Sequence, residues 1–181
     1  TLEEVIGIRP SNGSLAEYGV TYRQVDLKED GSFDYPAIEA ALNEKTRLVT
    51  IQRSKGYQTR PTFSVKQIGE LIAFIKERRP DVICMVDNCY GEFVERIEPT
   101  DVGADLCVGS LIKNPGGGLA PIGGYIVGKD EYVENAAYLS GPWQRGGSLP
   151  GRDAELLSGL FPGPDCDGRG AQRRHLRRQY L

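Results

Sequence analysis

The stretch Ser64-Val-Lys-Gln-Ile-Gly-Glu-Leu-Ile-Ala-Phe-Ile-Lys-Glu-Arg-Arg-Pro-Asp-Val-Ile-Cys-Met-Val-Asp87 decides the fold. Val65, Ile68, Leu71, Ile72 and Ile75 recur at the spacing of one helical face. Ser64 can cap the first turn and Pro80 cannot continue the last, so a helix is predicted over Val65–Arg79. Val82–Val86 follows as an unbroken apolar run ending in Asp87, the pattern of a strand covered on both faces. Upstream, Arg47–Ile51 is another β-branched, apolar run. Strand, helix, strand with continuous apolar strands predicts an α/β fold whose mostly parallel sheet is covered by helices.

Further elements extend this unit in both directions. Val20–Val25 reads as a strand, and Asp34 can cap a short helix over Tyr35–Leu42 with Pro36 in its first turn. Asp105–Gly109 and Gly124–Val127 read as two more strands, and Asp130 can cap a helix over Glu131–Tyr138. Ligands of such sheets gather at the carboxyl ends of strands. Asp87 and Ser110 fall at two such ends.

Composition narrows the class. The 181 residues suffice for one globular domain, and no apolar run reaches the roughly 18 residues of a membrane span. Thr1-Leu-Glu-Glu-Val-Ile6 has neither a basic nor an apolar leader region and no initiator Met, so no signal peptide is expected and the true start is expected upstream. Cys84, Cys89, Cys107 and Cys166 are irregularly spaced, and three lie in or beside strand-like runs. Free thiols in a reducing, cytoplasmic compartment are expected, rather than disulfides or a metal site. The one histidine, His175, gives no support to a His-based metal centre or a Ser-His-Asp triad.

Net charge is −3, divided between +3 for residues 141–181 and −6 for residues 1–140. An acidic body argues against nucleic acid as the main partner. From Gly141 onward the text becomes rich in Gly, Pro and Arg and loses periodicity until Gln172–Tyr180. Residues 141–181 are therefore read as an aberrant tail, disordered or translated out of frame. Arg173-Arg-His-Leu-Arg-Arg178 is then an accident of codons rather than a nucleic-acid patch.

Three strand-end segments carry the chemistry. In Gly109-Ser-Leu-Ile-Lys-Asn-Pro-Gly-Gly-Gly118, Lys113 stands between an apolar strand and a glycine run whose amides can approach an anion. Taken alone, the segment also fits a flexible loop with a solvated lysine. A Walker-type phosphate loop is disfavoured because no Gly-Lys-Ser/Thr follows the glycines. Asp87, in Val86-Asp-Asn-Cys-Tyr-Gly-Glu92, can pair with a protonated ring nitrogen or cap the following turn. Ile51-Gln-Arg-Ser-Lys-Gly-Tyr57 can contact a ring hydroxyl or substrate, or serve as a polar loop.

Asp87 and Lys113 lie 26 residues apart on successive strand ends. This resembles the arrangement in pyridoxal-phosphate lyases and aminotransferases of the aspartate-aminotransferase fold. Four segments narrow the likeness: Thr1-Leu-Glu-Glu-Val-Ile-Gly7, Gln52-Arg-Ser-Lys-Gly-Tyr57, Val86-Asp-Asn-Cys-Tyr-Gly-Glu-Phe93 and Ser110-Leu-Ile-Lys-Asn-Pro-Gly-Gly-Gly118. They resemble the methionine gamma-lyase-like family, often called aluminium resistance proteins or cystathionine beta-lyase-like proteins. The likeness runs through most of residues 1–140.

The resemblance implies an incomplete large domain of fold type I over residues 1–140, with pyridoxal 5'-phosphate as cofactor. It implies that Lys113 forms the internal aldimine and later removes the substrate Cα proton. Asp87 is implied to pair with the pyridine nitrogen and Ser110 to help hold the phosphate. Gln52, Ser54 and Tyr57 are implied to lie near the ring or substrate. The implied reaction is carbon–sulfur elimination from a cystathionine- or methionine-like amino acid, giving a thiol, a 2-oxo acid and ammonia. Full-length relatives are expected to be homo-oligomers. The family's N-terminal phosphate-binding turn and its C-terminal domain have no counterpart here. An inactive, truncated relic is accordingly an alternative reading, as is a nucleotide-binding α/β module.

Overall fold

The structure is a computed structural model that describes residues 6–9, 11–56 and 58–139. The aberrant tail read over 141–181, with Cys166 and His175, lies outside the described residues. Contacts divide the chain into two compact units, one ending at Glu44 and the other beginning at Lys45.

The first unit holds a 3-10 turn, Leu15–Tyr18, and a short helix α1, Tyr35–Ala41. Asp34 caps α1 by accepting the Ala37 N–H at 3.1 Å, and Pro36 sits in its first turn, as the sequence implies. The strand expected at Val20–Val25 does not form. These residues carry β-prone side chains, but no ladder pairs them among the described residues and nearly all are exposed. A strand is defined by its partner, and propensity alone does not create one.

The second unit is built on a four-stranded sheet in the order β1 (Leu48–Gln52), β2 (Ile83–Asp87), β3 (Leu106–Ser110), β4 (Gly124–Gly128). β1, β2 and β3 are parallel, with Gln52 opposite Asp87 and Asp87 opposite Val108. β4 runs antiparallel to β3, with Ser110 opposite Gly124. The sheet is thus mostly parallel, with a reversal where residues 111–123 return without a crossover helix.

The crossover from β1 to β2 is helix α2, Val65–Arg78. Its cap is reciprocal: Ser64 Oγ accepts the Gln67 N–H at 3.2 Å, and Gln67 Oε1 accepts the Ser64 N–H at 2.9 Å. Val65, Ile68, Leu71, Ile72 and Ile75, the residues chosen from periodicity, are all buried. Each such side chain contributes roughly 1.5–3 kcal/mol in transfer terms. Cys84 and Val86 of β2 are buried while Ile83, Met85 and Asp87 are only partly so. Burial in β2 therefore alternates, where the sequence implied cover on both faces. The last helix, α3, spans Asp130–Leu139.

The amino ends of the strands are pinned by one buried carboxylate. Asp105, fully buried just before β3, accepts the Cys84 N–H at 2.8 Å. It also pairs with Lys76 of α2 and with Lys129, just before α3, each at 2.6 Å. Burial pushes this carboxyl upward, but the Cys84 amide, Lys129 and Lys76 outweigh it and hold its pKa below the ordinary aspartate value.

Asp105→Ala leaves a buried amide without its acceptor and two lysines without their partner. It should cost about 2–4 kcal/mol, read from urea unfolding. Because the folded pKa is depressed, the contribution of Asp105 is intact above pH about 4 and is lost as pH falls through the folded value. The stability gap between wild type and variant should therefore narrow only at acid pH; a gap that narrows between pH 6 and 8 would contradict this assignment.

Candidate active site

The carboxyl ends of β1, β2 and β3 carry the segments singled out in the sequence. Asp87 closes β2, and its Oδ1 accepts the Cys89 N–H at 3.1 Å, so the carboxylate does cap the turn that follows. The Cys89 thiol is free and partly buried. Burial, with the Asp87 carboxylate beside it, pushes this thiol up to about 11, so it stays protonated near neutral pH. Asp87 and Ser110 lie at the ends of paired neighbouring strands.

Ser110 ends β3, and its hydroxyl donates to the Gly123 carbonyl at 3.4 Å, a long and weak bond that leaves the group easily redirected. The chain then turns tightly, with the Lys113 N–H donating to the Ser110 carbonyl at 3.2 Å. A Cβ at Gly116 would collide with the Leu111 carbonyl, so this turn requires glycine there. Lys113 Nζ lies over the ring of Tyr90, 4.8 Å from its centroid. Tyr90 is three residues beyond Asp87, so the turn after β3 meets the turn after β2.

The other candidates are placed less closely. Gln52 ends β1 opposite Asp87, and its carbonyl accepts from Arg60 at 3.1 Å. Ser54 is partly buried, and its carbonyl also accepts from Arg60. Both segments are fixed through their backbones. Tyr57 lies outside the described residues.

Beneath these turns is a polar network that sequence reasoning missed. Arg53, 1% exposed, donates to the Phe63 carbonyl at 3.2 Å, Asn88 Oδ1 at 2.8 Å, the Gly91 carbonyl at 2.9 Å and Glu95 Oε1 at 2.6 Å. Glu95 Oε1 also accepts the first amide of α2, from Val65, at 2.8 Å. Asn88 donates to Glu98 Oε2 at 2.9 Å, and Glu98 Oε1 accepts the Phe93 N–H at 3.1 Å. Burial raises the Glu98 carboxyl against the opposing pull of Phe93, Asn88 and Arg53. This cage holds Tyr90 and Phe93 at φ 66° and 64°, a region that bulky side chains rarely occupy. An arginine directly after an apolar strand was the available signal, although that strand, β1, buries Ile51 alone and is otherwise exposed or partly so.

A second missed pair lies beside it. Glu92, 2% exposed, accepts the Tyr125 hydroxyl at 2.7 Å through Oε1. A Cβ on Gly109 would come within 2.5 Å of that hydroxyl and 2.6 Å of Glu92 Oε1, so β3 passes flush against the pair. Burial and the Glu92 carboxylate push the Tyr125 phenol strongly upward, so it remains a neutral donor.

The sequence model described as Methionine gamma-lyase matches residues 1–179. The chain belongs to the methionine gamma-lyase family. It is 50% identical over 170 residues to the uncharacterized protein YnbB of Bacillus subtilis (strain 168), covering 91% of this chain and 40% of that one. It is 28% identical over 145 residues to an L-methionine gamma-lyase of Porphyromonas gingivalis, covering 80% of this chain and 33% of that enzyme. Among solved structures, a carbon-sulfur lyase involved in aluminum resistance from Clostridium novyi NT matches with a TM-score of 0.72 and 46% identity, covering 88% of this chain and 35% of that one. The chain therefore spans less than half the length of these relatives. Its fold is part of the aminotransferase-like α/β large domain, and methionine gamma-lyases, cystathionine lyases and aminotransferases are pyridoxal-phosphate-dependent families. Among the described residues no helix is long and apolar enough to cross a membrane. Cys84, Cys89 and Cys107 are free thiols.

Arg53→Met should cost about 2–4 kcal/mol in urea unfolding, because it strands the buried Glu98 and the Gly91 carbonyl, while the partly exposed Glu95 can turn to water. A loss under 1 kcal/mol would show that the network is cosmetic.

Proposed function

We propose that the chain carries residues of a pyridoxal-phosphate site for carbon–sulfur elimination from a sulfur-containing amino acid. The carrying observation is the seating of Lys113 Nζ on the ring of Tyr90, three residues past Asp87, at the ends of neighbouring parallel strands. The residues fit the group: an amine for its aldehyde, a carboxylate for its ring nitrogen and a weakly engaged hydroxyl for its phosphate.

In this reading Lys113 holds the cofactor covalently, Asp87 pairs with the protonated ring nitrogen, and Ser110 donates to the phosphate. Gln52, Ser54 and Tyr57 lie toward the ring or substrate. The bound cofactor supplies an electron sink for negative charge at the substrate Cα. Lys113 Nζ, once the substrate amine has replaced it on the cofactor, would take the Cα proton, which requires the amine to be neutral at that moment and close to the carbon. Asp87 accepts the Cys89 amide, which restrains rotation of its carboxylate. Loss of the sulfur group and reaction with water then give a thiol, a 2-oxo acid and ammonia. The three free thiols support a reducing, cytoplasmic setting for this chemistry.

Adding pyridoxal phosphate to the full chain should produce a visible absorbance band that Lys113→Ala abolishes. Asp87→Ala should weaken cofactor binding about ten- to a hundredfold, as expected for a charge-assisted hydrogen bond. Identical spectra for wild type and Lys113→Ala would overturn the proposal.

A further inference from the structure

We propose that Asn114 is a positioning residue that clips the Lys113 turn to the Asp87 turn, and that the buried Glu92–Tyr125 pair holds the carbonyl it grips. The proposal rests on the cofactor reading above, but its geometry stands independently of it. Asn114 Nδ2 donates to the Glu92 carbonyl at 2.9 Å, a side-chain tie between two turns 22 residues apart in sequence. It acts on the residue directly after Lys113.

The acceptor is well fixed. The Glu92 side chain is 2% exposed and anchored by the Tyr125 hydroxyl at 2.7 Å, with Tyr125 opposite Gly109 in the β3–β4 ladder. On either side of Glu92, the Gly91 carbonyl is held by Arg53 and the Phe93 amide by Glu98. The donor's own backbone is also engaged, since the Asn114 carbonyl accepts the Gly117 N–H at 3.2 Å. The clip adds a side-chain tie to a turn that is also held by its backbone bonds, by the Leu111 N–H to the Gly123 carbonyl and by the Lys113–Tyr90 contact, next to a glycine run of high conformational freedom. The role of Asn114 is therefore indirect: it sets where the Lys113 amine stands relative to Tyr90 and Asp87.

The test uses the full chain with Asn114→Asp, which keeps the size but loses the donor, and Asn114→Ala. Amide hydrogen exchange over residues 111–117 should accelerate about five- to tenfold in both variants, as for loss of one hydrogen bond, while amides of β1–β3 keep their protection. The Lys113-dependent absorbance band should form about tenfold more slowly with pyridoxal phosphate. Unchanged exchange over 111–117 overturns the clip whatever the cofactor does. Faster exchange with an unchanged rate of band formation overturns the positioning role. If wild type and Lys113→Ala give the same spectrum, the cofactor reading falls and the positioning role with it; exchange alone then reports whether the clip exists.

Discussion

The carboxyl end of this sheet depends on one guanidinium. Arg53 leaves β1 and enters the interior, where its donors are shared among the start of α2, the turn after β2 and the acidic residues that follow. A buried cation is tolerable only when its charge is matched and its N–H groups are satisfied. Glu95, Glu98, Asn88 and two backbone carbonyls meet that condition together. The requirement runs both ways: the turn carrying Asp87 and Tyr90 must stay closed around Arg53, since opening it would strand the charge. The left-handed backbone at Tyr90 and Phe93 is the conformational cost of that closure.

From this fixed base the second half of the site is hung more lightly. Ser110, Lys113 and Asn114 lie on a turn tied to its surroundings through Gly123, Glu92 and Tyr90, next to Gly116, Gly117 and Gly118. In the reading proposed above, stiffness in one turn and freedom in the other would suit a lysine that changes partners while the Asp87 carboxylate stays still. The parallel pairing of β2 and β3 makes the arrangement possible, because it brings two carboxyl ends together.

Much of this was legible in the text. The 3.6-residue period of Val65, Ile68, Leu71, Ile72 and Ile75 marked α2 because its burial is local and continuous. The runs at 47–51 and 82–86 marked β1 and β2 to within one residue. Val20–Val25 misled because strand chemistry says nothing about whether a neighbour exists. The reversal at β4 was hidden for a related reason: direction is set by the return path through residues 111–123, not by the composition of the strand. Asp87, Ser110 and Lys113 could be singled out from strand-end position, yet Arg53, Tyr90, Glu92 and Asn114 could not be assigned. Their roles come from contacts between turns far apart in sequence, which no periodicity records.

The two buried ionic centres divide the labour of the second unit. Asp105 stands at the amino ends of the strands, gathering two lysines and a backbone amide, with no candidate site residue among these partners. Arg53 stands at the opposite ends and inverts the pattern, one cation gathering carboxylates and carbonyls. A parallel sheet with its crossover helix needs fastening at both ends, since neither hairpins nor short loops fasten β1 to β2. At the amino end the fastening can be purely structural. At the carboxyl end the same fastening also orients the turn bearing Asp87, so stability and site geometry are not separable there. Substitutions around Arg53 act on both together, whereas those around Asp105 act on the fold first.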